Sequence, residues 1–374
     1  MSIFALAGAA VVGLSLAAHV WLFRALLAAS AWCRRHRVAL GVAQASLALA
    51  PGLRWLATPL SAPWLRPLAQ WAMVPQLVLL VACACALVLG RWGRARARDG
   101  VSPRSVTELA RRDLLLAAAS SVAPSSALAY GAVSRREVVI EEIAVRLPRL
   151  PRALDGFTLV QVSDVHVGGF TGEAELRALE ELVRGARGDL VVLTGDLVDH
   201  DPEFVPLAAR WLSRLPARRG VVAIPGNHDH YAGMARVMDA MRRAGVDVLV
   251  NDARLVDEGL VLAGVDDLWG RRFAPGPGPD LSAALRAAPP DAARVLLAHN
   301  PKFFDEARPR VDLQLSGHTH GGQIAPAGLL LKYSRGLYRE GASSLYVNRG
   351  FGIVGPPVRL GAPAEITRVV LVAS

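Results

Sequence analysis

The chain has 374 residues, a hydrophobic fraction of 52%, a mean hydropathy of +0.32, a net charge of +10 and three cysteines. That is too apolar for a disordered chain and too poor in cysteine for a disulfide scaffold. The charge is one-sided: residues 1–136 hold 15 arginines and 3 acidic residues, net +12, against 27 basic and 29 acidic residues in 137–374, net −2. The arginines flank apolar segments, which marks them as a membrane topology signal and argues against nucleic-acid binding.

Residues 3–23 run without a formal charge for a length that spans a ~30 Å hydrocarbon core. Residues 68–90 form a second span despite Pro75, which a membrane helix tolerates. Residues 38–53 are short and broken by Pro51-Gly52, so they either cross or re-enter. Residues 114–133 have the length of a span but are rich in Ala and Ser and contain Pro124. A membrane region of three to four transmembrane helices over 1–136 is therefore expected, followed by a catalytic domain over 137–374. Seven arginines in 91–112 and four in 24–37 assign those loops to the cytoplasm. If 114–133 crosses, the domain faces outward, which is the expectation taken here; if it lies on the surface, the domain stays cytoplasmic. Arg111-Arg112 ahead of an apolar run resembles a twin-arginine export signal, whereas Arg135-Arg136 favour the second arrangement. Cys33, Cys83 and Cys85 all precede the domain and read as small apolar residues.

Residues 134–148 read as a leading strand, with Pro148 and Pro151 marking a turn. Strands then alternate with helical patterns at 173–187, 203–215 and 232–244, a rhythm that predicts an α/β fold. Further strands are expected at 261–265 and 366–372. The informative feature is how five strands end. Residues 157–163 run into Asp164-Val-His166, and 189–194 into Gly195-Asp196-Leu-Val-Asp199. Residues 220–225 run into Gly226-Asn227-His228-Asp229-His230, 294–298 into His299, and 311–316 into Gly317-His318-Thr-His320. Open α/β sheets bind ligands at carboxyl strand ends. Imidazole, carboxylate and amide oxygen together suit Mn, Fe, Ni or Zn, and the set is too large for one tetrahedral zinc. Two adjacent ions sharing a carboxylate would use it fully, and such pairs activate water for in-line displacement at phosphorus.

In this order the five blocks resemble the calcineurin-like metallophosphoesterase superfamily. The wording around His299-Asn-Pro, Leu315-Ser-Gly-His-Thr-His-Gly-Gly-Gln323 and Pro363-Ala-Glu-Ile366 is similar to a bacterial membrane-associated branch, which includes phosphodiesterases and UDP-2,3-diacylglucosamine pyrophosphatase-like enzymes. The resemblance covers the last two-thirds of the chain. It implies a four-layer αββα sandwich and two divalent ions. Asp164, His166, Asp196 and His320 would hold one, Asp196, Asn227, His299 and His318 the other, and a metal-bridging hydroxide would attack a phosphoester or pyrophosphate. It implies that His228 stabilises the transition state or protonates the leaving group, and that Asp199 could orient it by hydrogen bonding. His200 stands where protein phosphatases carry Arg, which weakens the case for phosphoprotein substrates. Expected partners are the inner (plasma) membrane and a phosphoester substrate, lipid-linked forms among them, with no nucleic acid. The oligomeric state is left open. A catalytically silent metal-binding scaffold of the same fold is the alternative. Asp229 could support the ligands from behind, and His230 reads as a solvated loop residue. Arg271-Arg272 beside Trp269 and Phe273 are either a substrate lip or a plain loop; Tyr333, Arg335 and Tyr338 line the same mouth or pack on the surface.

Overall fold

The computed structural model describes residues 130–271, 278–324 and 328–374, together with scattered positions between 13 and 74. The chain divides into two compact units, Met1–Val133 with Gly355–Val358, and Ser134–Val354 with Arg359–Ser374. Among the described residues no helix is long and apolar enough to cross a membrane. The predicted spans 3–23, 38–53, 68–90 and 114–133 lie largely outside the described residues.

The second unit holds two six-stranded mixed sheets. In the first, β1 (Val138–Leu147) pairs in parallel with β12 (Ala364–Ala373), which runs antiparallel to β2 (Thr158–Val162). Parallel to β2 follow β3 (Leu190–Thr194), β4 (Val221–Ile224) and β5 (Asp247–Val248). The other sheet runs β10 (Gly336–Glu340), β11 (Ser343–Val347), β9 (Leu313–Ser316), β8 (Ala293–Leu297), β7 (Leu260–Gly264) and β6 (Asp252–Asp257). Its inner four strands, β11 to β7, are mutually parallel. Such strands are covered on both faces, which is why β2, β3, β4 and β7 are buried at every position.

Alternate side chains divide those faces. Val160, Val162, Val191 and Leu193 pack outward on α1 (Glu173–Ala186), α2 (Val205–Leu212) and α4 (Met234–Arg243). Leu159, Leu190, Val192, Val222 and Ile224 pack inward on Leu260, Leu262, Val295, Leu297, Leu313 and Leu315 of the other sheet. The far side of that sheet is closed by α5 (Leu281–Ala284) and the short helical turns near Phe303 and Ala307. The layers are helix, sheet, sheet, helix. The helix expected over 203–215 begins instead as a 3-10 turn, Pro202–Phe204, because Asp201 accepts the Glu203 N–H and Pro202 takes the first position. The predicted 232–244 helix is preceded by a separate short one, α3 (Asn227–Tyr231), which opens on the Gly226-Asn-His-Asp motif itself. The strand pair β10–β11 has no counterpart in the sequence reading.

Candidate metal centre

The carboxyl ends of β2, β3, β4, β8 and β9 bring all nine predicted site residues together. Ser163 Oγ and the His318 N–H hold Asp164 Oδ2 at 2.6 and 3.0 Å, and Asp164 Oδ1 faces His320 Nε2 at 3.3 Å and His166 Nε2 at 3.8 Å. The two imidazoles stack with their Nε2 atoms 3.2 Å apart. Asp196 Oδ1 accepts the His228 N–H at 2.8 Å. Its Oδ2 stands 3.6 Å from His166 Nε2 and 3.2 Å from His299 Nε2, so one oxygen faces both halves of the cluster.

In the second half, Asn227 Oδ1 lies 3.2 Å from His299 Nε2 and 2.8 Å from His318 Nδ1. Asn227 Nδ2 donates to the Tyr231 hydroxyl oxygen at 3.2 Å, which turns the amide oxygen inward. His299 Nδ1 donates to the Thr194 carbonyl at 2.8 Å. A carbonyl only accepts, so this bond sets the tautomer and leaves the Nε2 lone pair facing the cluster. His228 approaches His166 edge-on, with ring centroids 4.6 Å apart, and its Nδ1 is 2.9 Å from Asp199 Oδ1. Asp199 Oδ1 also lies 3.0 Å from His200 Nδ1.

The turns that carry these groups are strained. Asp164, His166, Asp196, His318 and His320 all have positive φ, between 46° and 72°, and make up five of the eight such non-glycine residues described. Each costs roughly 1–2 kcal/mol against ordinary backbone, and strain of this kind gathers at functional sites. Lacing between loops offsets it: Asp164 N and His166 N donate to the carbonyls of Gly195 and Asp196, both at 3.0 Å. Gly317 and Gly226 permit close approach, since a Cβ would stand 2.1 Å from Asp164 Oδ2 at the first and 2.2 Å from Asp196 Oδ1 at the second.

Charge fits the same picture. Burial works against ionising Asp164 and Asp196, but the surrounding imidazoles outweigh it and hold both carboxyls below the usual range. Burial, with His299 beside it, lowers His318 to about 4, and burial lowers His320 well below an ordinary histidine. His299 is raised well above its ordinary value, because Asp196 and Asp164 overcome its burial. Buried anions flanked by two imidazoles that burial keeps neutral, His318 and His320, and by an inward amide oxygen want a cation. Groups such as Asp164, His166 and His320, or Asp164, Asp196 and His299, could hold one. Their spacing of 3.2–3.8 Å approximates the edge of a shell with bonds of ~2.1 Å, roughly 3.0–3.5 Å.

Supporting residues were only partly legible in sequence. Asp229 is fully buried, accepts from Leu197 N and Val198 N at 3.0 and 3.3 Å, and takes the Gly226 N–H at 2.9 Å. It ties the Asp196 loop to the start of α3. His230 is not solvated: its side chain is 5% exposed and its Nε2 lies 2.8 Å from Asp266 Oδ1. Asp266 also accepts from Asp267 N and Gly278 N. Val265-Asp266-Asp267 is one more strand end with carboxylates, after β7, and the rule applied to five strand ends would have found it. Arg359 offered no such signal. Fully buried and lowered by burial to about 10, it donates to the carbonyls of Gly350, Gly352 and Ala362 at 2.9, 2.6 and 2.9 Å. It thereby fixes the segment whose Phe351 and Gly352 N–H groups bond Ser163 and Asp164. Arg271 is engaged with the Pro279 carbonyl and Glu306, which favours the plain loop, and Arg272 and Phe273 lie outside the described residues.

Fold and site together define a divalent-metal centre at the joined edges of two α/β sheets. Residues 157–322 match the calcineurin-like phosphoesterase family. The chain is 32% identical to a "Transmembrane protein with metallophosphoesterase domain" of Danio rerio, over 76% of this chain and 68% of that one. It is 34% identical to a protein of the same description from Bos taurus, over 63% and 57%, and 32% identical to an "Uncharacterized metallophosphoesterase" of Aquifex aeolicus, over 66% and 97%. The chain belongs to the calcineurin-like metallophosphoesterase family. It is a metal-dependent phosphoesterase hydrolase.

Proposed function

We propose that the protein is a membrane-tethered phosphoesterase with a two-metal centre, residues 1–136 forming the membrane region and 137–374 the catalytic domain. Asp164, His166, Asp196 and His320 would hold one divalent ion, and Asp196, Asn227, His299 and His318 the other, from among Mn, Fe, Zn and Ni. The observation that carries this reading is Asp196 Oδ2, one atom facing His166 on one side and His299 on the other. Bound there, the ions supply the Lewis acidity that makes water nucleophilic near neutral pH and neutralises a phosphoryl group. The chain's own part is proton supply and orientation. With Nδ1 held by Asp199, His228 has Nε2 as its remaining proton donor for a leaving oxygen. Burial disfavours the imidazolium, but Asp196 and Asp199 together outweigh it and raise His228 above its ordinary value. The substrate is a phosphoester or pyrophosphate at the inner membrane, most simply on its outer face.

The test is hydrolysis of bis(p-nitrophenyl) phosphate by the purified full chain with metal content measured in parallel. Chelation should abolish turnover and Mn should restore it, with two ions per chain. Asp196→Asn should lower turnover by on the order of 10²–10³. Full turnover by a metal-free protein, or by Asp196→Asn, would overturn the mechanism.

A further inference from the structure

The loop that follows His320 carries an apolar tip for which the centre has no use. Leu329 and Leu330 are 87% and 88% exposed and Leu331 is 39% exposed. Single exposed apolar residues are ordinary on a protein surface, but three in succession mark a contact surface. The tip stands on a fixed base. Gly328 packs so closely on the Gly321 carbonyl, one residue beyond His320, that a Cβ there would meet it at 2.8 Å. Leu331 N–H closes a turn onto the Gly328 carbonyl at 3.1 Å. Thr319 Oγ1 donates to the Ser334 carbonyl at 2.5 Å, and Ser334 N–H bonds the Tyr338 hydroxyl at 2.9 Å. Tyr333 is buried edge-on between Phe304 and Tyr338.

The chain that follows the tip is basic. Residues 328–340 contain Lys332, Arg335 and Arg339 against one acidic residue, Glu340, which pairs with Arg308. Lys332 pairs with Asp305, whereas Arg335 bonds the neutral Gly361 carbonyl and so keeps its charge. Exposed apolar side chains followed directly by cationic ones suit a lipid–water interface, where acyl chains take the tip and anionic headgroups the cations. A stable protein interface engages roughly 20–30 residues a side, far more than this tip offers. We propose that Leu329–Leu331 dock on an anionic lipid bilayer and bring the centre to phosphoesters displayed at the membrane surface. For the substrate, this rests on the phosphoesterase reading above; the docking itself does not.

The decisive measurement reads docking without activity. Leu330→Cys, in a chain whose Cys33, Cys83 and Cys85 are Ser, would carry a spin label. The full chain would be reconstituted with vesicles of three parts phosphatidylcholine to one of phosphatidylglycerol. Oxygen, which concentrates in lipid, should relax the label at 330 more than a water-soluble nickel chelate does, with the reverse at exposed Ala287→Cys. Chelate access at 330 equal to that at 287, or exclusion of both reagents as in a protein contact, would overturn docking. In a second arm, Leu329→Ser with Leu330→Ser should leave bis(p-nitrophenyl) phosphate turnover unchanged. Hydrolysis of phosphatidylglycerol in the vesicles should fall at least about tenfold, through KM. An equal fall on both substrates would make the loop part of the centre's framework and sink the proposal. A wild type that hydrolyses neither would count against the phosphoesterase reading, with the label result still judging the docking.

Discussion

Asp196 uses one carboxylate oxygen to take the His228 N–H and keeps the other between His166 and His299. That division of labour depends on a backbone N–H from α3, so the residue type was legible in sequence and the roles of its two oxygens were not. The same holds for His299, whose usable nitrogen is chosen by the Thr194 carbonyl. His228 is the residue whose role is most directly testable. If it gives a proton to the leaving oxygen, His228→Ala should depend on what leaves. An alkyl phosphodiester should lose on the order of 10²–10⁴ in kcat. A p-nitrophenyl ester, whose phenolate departs unaided, should lose much less while the metal content stays at the wild-type level. Equal losses on both esters would remove His228 as the acid, and loss of metal would reassign it as a ligand. His230 was misjudged for a physical reason: a histidine in a polar motif looks solvated until the partner carboxylate, Asp266, arrives from another sheet.

At the scale of elements, the turns that carry Asp164, His166, Asp196, His318 and His320 are strand ends held at positive φ, whereas those that carry Asn227 and His299 are not. Gly226 separates steric from conformational causes. Its φ is −113°, which alanine accepts, so what opposes a side chain there is the packing on Asp196, 2.2 Å to Oδ1 and 2.4 Å to the backbone nitrogen. Gly233 is the converse: φ is +96° with open space around a Cβ. Gly226→Ala should therefore displace Asp196, lower bound metal and cost about 1–3 kcal/mol in thermal unfolding. Gly233→Ala should cost roughly 1–2 kcal/mol and leave the metal in place. Equal metal content in the two purified variants would refute the packing account. The parallel strands were legible because burial on both faces demands unbroken apolar runs, as in Leu190–Thr194. The β10–β11 pair was not, because its first strand is half-buried and polar at alternate ends and gains its definition from partners.

For the whole molecule, the uneven charge is the feature with the largest consequence. A net of +12 in residues 1–136 against −2 in the rest is what a membrane region followed by a catalytic domain would show. The side on which that domain lies divides the candidate substrates. A reporter active only outside the cytoplasm, fused after Ser374 and after Gly100, should be active at the first position and silent at the second. A cytoplasmic reporter active at Ser374 would reverse the assignment and favour nucleotide-linked lipid substrates.

The apolar parallel strands, the candidate ligand types at their ends and the two-sided charge are local properties, carried by a few adjacent residues each, and the sequence alone determined them. Tertiary structure decided what depends on separation along the chain. His318 N–H reaches an Asp164 carboxylate 154 residues away, and β12 enters the first sheet between β1 and β2 although it comes last in the chain. Arg359, to which no motif pointed, is buried among four backbone carbonyls. Each of these is set by which distant surfaces pack together, and no short window of sequence contains both partners.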